Sequence, residues 1–282
     1  DKEKLLALFD RFEFKSWKRE LDAEGKTPAL QANVYKASSD GQKGLSQIPA
    51  EIASEVSAYS PNLSRQYETI FSPAQLEIWL EKLSKAGLIC FDTETTSLDP
   101  LTAKIVGMSF SVEAGSAAYL PLKHDYFDAP EQLNFAEALA KVKPILENAN
   151  IKKVGQNLKY DQHVLANHGI MLNGIAHDTM LQSYVFESHK THGMDALSER
   201  HLGITPISFE SVAGKGAKQV GFNQVTVEVA AEYAAEDADI TLQLHEAMHP
   251  IIAADAKLLY IYQQIEMPVS EILFTIERNG VL

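Results

Sequence analysis

The sequence predicts an α/β fold: a mixed β-sheet flanked by helices. Two patterns carry that expectation, three neighbouring strand-length runs and, after them, short strands alternating with amphipathic helices. A chain of 282 residues that is 45% apolar can bury a full core, as one large domain or as a domain with extensions.

Residues 1–21 read as helical, with Leu5, Leu6, Phe9 and Phe12 near helical spacing and charges between them. Residues 22–64 are rich in Ala, Ser, Gly, Gln and Lys without a sustained period. They read as a linker with a short helix near 48–56. Regular structure resumes near Tyr67. Ser72 is a natural N-cap with Pro73 at the first helical position; Leu76, Trp79, Leu80 and Leu83 form one stripe, and Gly87 ends the helix. Residues 88–91 read as a strand buried on both faces. Strands at 104–112 and 117–122 follow, joined by the turn Glu113-Ala114-Gly115. Next come a helix at 135–148, a short strand at 153–156 and a helix at 160–168. Further helices are expected at 179–188, 194–201, 228–248 and 255–277.

The single cysteine, Cys90, excludes an internal disulfide and a cysteine-built zinc site. No apolar run reaches membrane-spanning length and the first residues do not read as a signal peptide, so a cytoplasmic protein is expected. A net charge of −13 argues against broad, charge-driven coating of a duplex. It leaves room for a site that grips one strand end through metal ions. The chain lacks an initiator Met and stops just after Asn279-Gly280, and we expect a fragment of something longer.

The chemistry rests on where the acids fall. Side chains alternate along 88–94, so Cys90, Asp92 and Glu94 share one side of the strand. Two acids thus emerge together at the C-terminal end of a buried strand, where α/β sheets place ligands, unless the run is merely a polar strand end. Farther on, Val229, Tyr233, Ile240, Leu244 and Met248 make a core-facing helical stripe, and Asp237 lies within it. Glu236 and Asp239 point away and are expected in solvent. A carboxylate on a buried stripe is costly without a cation or strong donor, and one of the 25 Lys and Arg residues is the alternative partner. Asp161 shares a helix face with Leu165 and His168, so it too is expected to point inward.

Acids gathered from three segments repel one another unless something positive fills the space between them. Oxygen ligands without Cys or clustered His suit Mg²⁺ or Mn²⁺, and four acids balance two such ions. Two ions about 4 Å apart can activate a water and stabilise the leaving oxygen of a phosphodiester. Tyr233, one turn before Asp237, would place its hydroxyl beside them, though a Tyr on an apolar stripe is usually core.

Two other motifs carry less. His245-Glu246-Ala247-Met248-His249 matches H-E-x-x-H, but Pro250 follows at once and the remainder holds no His or Cys. We read it as polar residues on the last turn of a helix. Gly214-Lys215-Gly216 lacks the spacing and the Ser/Thr of a P-loop and reads as a flexible basic loop, with Lys215 and Lys218 near a strand backbone as the alternative.

At these residues the chain resembles the proofreading 3′→5′ exonuclease domain of the bacterial DNA polymerase I family. The resemblance is carried by F-D-T-E-T-T-S-L-D at 91–99, V-G-Q-N-L-K-Y-D at 154–161 and Y-A-A-E-D-A-D at 233–239. G-I-A-H-D-T-M-L-Q-S-Y at 174–184 and A-G-K-G at 213–216 add to it. It implies a ribonuclease H-like sheet and a DEDD-type exonuclease of the Tyr-containing subclass, using two divalent ions, Mg²⁺ or Mn²⁺. By the same resemblance, Asp92, Glu94 and Asp237 ligate one ion, Asp92 shares the second with Asp161, and Tyr233 orients the nucleophile. Leu98 and Phe209 match positions that wedge against terminal bases, and Gln156, Asn157 and Tyr160 match positions near the strand. Thr96 stands where relatives carry Asp and is not a ligand. Residues 1–21 resemble the last helix of a 5′-nuclease domain, 22–64 its linker, 65–250 the exonuclease and 251–282 the start of a polymerase domain. The expected partners are a single-stranded DNA 3′ end and the polymerase domain of the parent chain, in a monomer without membrane contact. A catalytically silent DNA-positioning scaffold and an RNA-trimming exonuclease are the rival readings.

Overall fold

The computed structural model describes residues 64–280. The helix expected at 1–21 and the linker expected at 22–64 lie outside the described residues, save Ser64. Six strands form one sheet: β1 (Gln66–Thr69), β2 (Leu88–Thr95), β3 (Ile105–Glu113), β4 (Ser116–Pro121), β5 (Lys152–Gly155) and β6 (Ile175–Asp178). Their order is β1-β4-β3-β2-β5-β6. The β2–β3 and β3–β4 pairs are antiparallel, whereas β1–β4, β2–β5 and β5–β6 are parallel. The sheet is therefore mixed, as expected. Its two four-residue edge strands, β1 and β6, went unread in the sequence.

Helices α1 (Pro73–Lys85), α2 (Phe135–Glu147) and α3 (Leu158–Asn167) cover one face. Helix α1 starts on a capping box: Ser72 Oγ accepts from Gln75 N, and Gln75 Oε1 accepts from Ser72 N. The other face carries α7 (Val227–Ala254), with α4 (Thr179–Glu187), α5 (Met194–His201) and α6 (Phe209–Ala213) around it. Strand alternation sorts the side chains between the two faces. Ile89 and Phe91 join the core under α1–α3, while Cys90 packs with Ala238 and Leu242 of α7. The same parity sends Asp92 and Glu94 toward α7.

Helix α7 departs from the expected amphipathic helix. It is buried over most of its circumference, so Glu236 and Asp239, expected in solvent, are each only 1% exposed. Donors meet both of them. Arg65 and the Ile207 amide donate to Glu236, and Tyr67 Oη, Gly115 N and Gln243 Nε2 donate to Asp239 at 2.7–2.8 Å. A single hydropathy stripe misplaces them because strands, loops and helices surround α7 together. The converse error is Val229, expected in the core and 46% exposed near the helix start. The helix also runs through Pro250 to Ala254, so His249 is not at its end. Past it, the helix expected at 255–277 divides into α8 (Ala256–Ile261), a π-helical segment (Tyr262–Glu266) and α9 (Met267–Asn279). No helix among the described residues is long and apolar enough to cross a membrane.

Candidate metal centre

The first acids are set by β2. Asp92 pairs across the sheet with Ser109 and Glu94 with Gly107, in register with β3. Gly107 is required there: a Cβ would stand 2.1 Å from the hydroxyl oxygen of Tyr119, which hydrogen-bonds His124 Nε2 at 2.7 Å. Helix α7 brings Asp237 over the same strand end. Carboxylate oxygens of Asp92, Glu94 and Asp237 all lie within 4.8 Å of one another.

Asp161 enters from α3 and is 1% exposed. Its Oδ1 accepts from Thr93 N at 3.0 Å and Thr93 Oγ1 at 2.5 Å, so Thr93, sitting between the two β2 acids, fixes the fourth. It stands apart from the tight trio but close enough to be felt electrostatically by Asp92 and Glu94. The start of α3 is itself held unusually. Asn157, its N-cap, has a left-handed backbone (φ 62°) and caps nothing with its own side chain. Asp178 does that work from β6, accepting from the amides of Asn157, Leu158, Met180 and Leu181 at 2.8–3.2 Å. One buried carboxylate thereby anchors α3 and α4 together.

The acids open into a cleft of about 530 Å³. Among the described residues lining it there is no Lys, Arg or His. Burial pushes Asp92 up to about 7. Glu94, Asp161 and Asp237 are raised well above the usual carboxylate range by burial first, then by the charge of Asp92. The Tyr233 hydroxyl lies close enough to Asp237 to be felt electrostatically, while Asp237 Oδ1 is buried with no partner. Uncompensated carboxylates and an orphaned acceptor fit a hard divalent cation and disfavour a protein counter-ion. These three, with Asp161 beside them, are the residues that could hold one.

Leu98, 95% exposed, and Phe209, 38% exposed, both line the cleft. Phe209 belongs to an aromatic trio with Phe222 and Tyr233, centroids 5.9–6.4 Å apart, that braces the Tyr233 ring. Phe222 was missed in the sequence, since it opens a three-residue 3₁₀ turn outside any periodic run. Gln156 and Tyr160 line the cleft but are engaged internally. Gln156 accepts from Thr179 and donates to the His192 carbonyl, and Tyr160 Oη contacts Thr95 and donates to the Ser97 carbonyl at 2.5 Å. Asn157 lines the cleft beside them.

A family model described as 3′-5′ exonuclease matches residues 67–253. DNA polymerase I of Pseudomonas aeruginosa is 44% identical over 284 residues, covering 100% of this chain and 29% of that protein. The chain thus spans less than a third of the relative's length. Among solved structures, the chain superposes on the POL domain of Mycobacterium smegmatis Pol1 with DNA primer-template and dNTP. The TM-score is 0.58 at 19% identity, with 77% of this chain and 32% of that one covered. Brucella melitensis NrnC bound to pGG aligns with a TM-score of 0.53 at 18% identity, covering 76% of this chain and 91% of that one. NrnC has also been solved with Mg²⁺ bound. The fold is that of ribonuclease H-like 3′-5′ exonucleases, and the chain belongs to the 3′-5′ exonuclease family of bacterial DNA polymerase I.

Proposed function

We propose that the cleft hydrolyses single-stranded or mismatched DNA from its 3′ end, releasing nucleoside monophosphates, with two divalent ions, Mg²⁺ or Mn²⁺. The observation that carries this reading is the convergence within 4.8 Å of three acids, Glu94 and Asp237 buried and Asp92 half-buried, in a cleft whose described lining holds no cationic side chain. Asp92, Glu94 and Asp237 would hold one ion, and Asp92 would share the second with Asp161, directly or through water. Such ions, when bound, ease deprotonation of the attacking water and stabilise charge on the leaving oxygen.

The chain's own groups have separable tasks. Burial and the neighbouring acids push the Tyr233 hydroxyl upward, so it keeps its proton and serves as a donor that orients the nucleophile rather than as a base. Leu98 and Phe209, both lining the cleft, would present apolar surface to the last bases. Asn157 would meet the strand directly. The Gln156 amide and the Tyr160 hydroxyl, already hydrogen-bonded, would shape the wall along it. In the parent chain the polymerase domain would deliver the strand, and the protein would act as a monomer in the cytoplasm.

The test is degradation of a 5′-labelled DNA oligonucleotide with a mismatched 3′ end, and of its RNA counterpart, with Mg²⁺, Mn²⁺ or chelator. A metal-dependent ladder shortening from the 3′ end, seen with DNA and lost in Asp92→Ala, is expected. An equal ladder on RNA would overturn the DNA assignment, and no cleavage with any metal would favour the scaffold.

A further inference from the structure

A second cluster of potential ligands lies outside the cleft. Because α7 continues through Pro250, His245 and His249 sit one turn apart on it rather than at a frayed end. The third imidazole that the H-E-x-x-H motif lacks in sequence comes from β6. His177 packs with its ring centroid 4.1 Å from that of His245 and 4.5 Å from that of His249, and the two α7 rings are 5.0 Å apart.

Tyr262, fully buried in the π-helical segment, lies parallel to His177 at 6.2 Å. Its hydroxyl oxygen accepts from Asp178 N and Gln182 Nε2, and Gln182 Nε2 also donates to His245 Nδ1 at 2.9 Å. Burial lowers His177 to about 4 and His245 to about 3, and His249 moves the same way, so all three rings are neutral at physiological pH. The cluster leaves two buried polar atoms unpaired, His249 Nε2 and Gln182 Oε1. A packed core rarely tolerates such orphans, and here both belong to one group of side chains.

We propose that His177, His245 and His249 bind one transition-metal ion of the Zn²⁺, Ni²⁺ or Cu²⁺ class, at a site separate from the acidic cleft. Imidazole nitrogens without carboxylate select such ions over Mg²⁺, and two His at i, i+4 with a third from another element are a ligand set these ions accept. The acids, not these rings, have ligand atoms already within 4.8 Å of one another, so loading takes ring rotation about χ2. Turning the Gln182 amide completes the site. Its Oε1 then accepts from His245 Nδ1–H, which leaves the Nε2 lone pair of His245 free for the ion. His249 Nε2 gains a partner in the same step. The ion would tie β6 to α7 beside the turn that leads into α9.

The test is a Cu²⁺ titration of the chain carrying Asp92→Asn and Asp237→Asn, so that the cleft does not compete, read by electron paramagnetic resonance. One equivalent with imidazole-nitrogen coupling is expected. Affinity should fall at least about 100-fold in His177→Phe and His249→Phe, which keep an aromatic ring, and about 10-fold in Gln182→Leu. Thermal melting with Zn²⁺ supplies a second reading: a rise in Tm is expected that both Phe variants lose. No stoichiometric binding, or binding and Tm shifts that survive both substitutions, would overturn the site and leave a neutral packing cluster. Because His249 is only half-buried, His249→Phe keeps the fold and decides the matter should His177→Phe fail to fold.

Discussion

Asp237 and Asp239 lie two residues apart on α7, both buried, and they differ in what meets them. Asp239 accepts three hydrogen bonds, from Tyr67, Gly115 and Gln243. Asp237 has no such set of donors, keeps one oxygen unpaired, and lies with its carboxylate within 4.8 Å of those of Asp92 and Glu94. Burial alone therefore does not single out a candidate site acid; burial without matching donors does. The first carboxylate is satisfied within the fold, and the second is left among other acids, as the proposed cation site requires.

The comparison breaks if the two acids prove interchangeable. The largest expected effect is on catalysis: Asp92→Ala or Asp237→Ala should lower the Mg²⁺-dependent exonuclease rate by roughly 10⁴-fold, measured in single turnover, with the fold intact by circular dichroism. Near-normal activity in Asp237→Ala would dissolve the distinction. Tyr233→Phe should cost less, about 10- to 1000-fold, because it removes a positioning hydroxyl and leaves the acids in place. Asp239→Ala should do the reverse of Asp237→Ala. It leaves Tyr67, Gly115 and Gln243 without their acceptor and should cost about 2–3 kcal/mol in denaturant unfolding, with activity per folded molecule retained.

The smallest effect sharpens the contrast most. Without metal, the packed acids oppose the fold, so Asp237→Asn should raise metal-free stability by about 1 kcal/mol while abolishing activity. The pH dependence has a definite sign. Asp92 is raised to about 7 from an ordinary 3.8, so the folded state binds its proton more tightly than the unfolded chain. Its contribution is full below about 4 and is lost as pH rises through about 7. Melting in chelator should therefore fall over that window, and Asp92→Asn should flatten the fall; an unchanged slope would deny Asp92 its buried charge. Added Mg²⁺ should restore stability at the high-pH end.

Much of this arrangement was legible in the residues. Strand parity placed Asp92 and Glu94 together, and the spacing from Tyr233 to Ile240 turned Asp237 inward. Glu236 and Asp239 were misread because a hydropathy stripe assumes one buried face, and α7 has several; Val229 was misread the other way, since it lies exposed near the helix start. Edge strands β1 and β6 went unread, and Phe222 opens a three-residue 3₁₀ turn outside any periodic run. Asp178 is ordinary in sequence, and its role exists only because two helices start beside it.

The sequence by itself determined the mixed α/β class and the family, and it marked the four acids as candidates, because periodicity and motif spacing are local properties of the chain. The tertiary structure decided which buried acids are satisfied and which are not. That depends on donors such as Tyr67 and Gly115, more than a hundred residues away from Asp239 along the chain, and on the absence of any cation in the cleft's described lining. It also decided that His177 meets His245 and His249, a contact between a four-residue strand and a distant helix that no local pattern encodes.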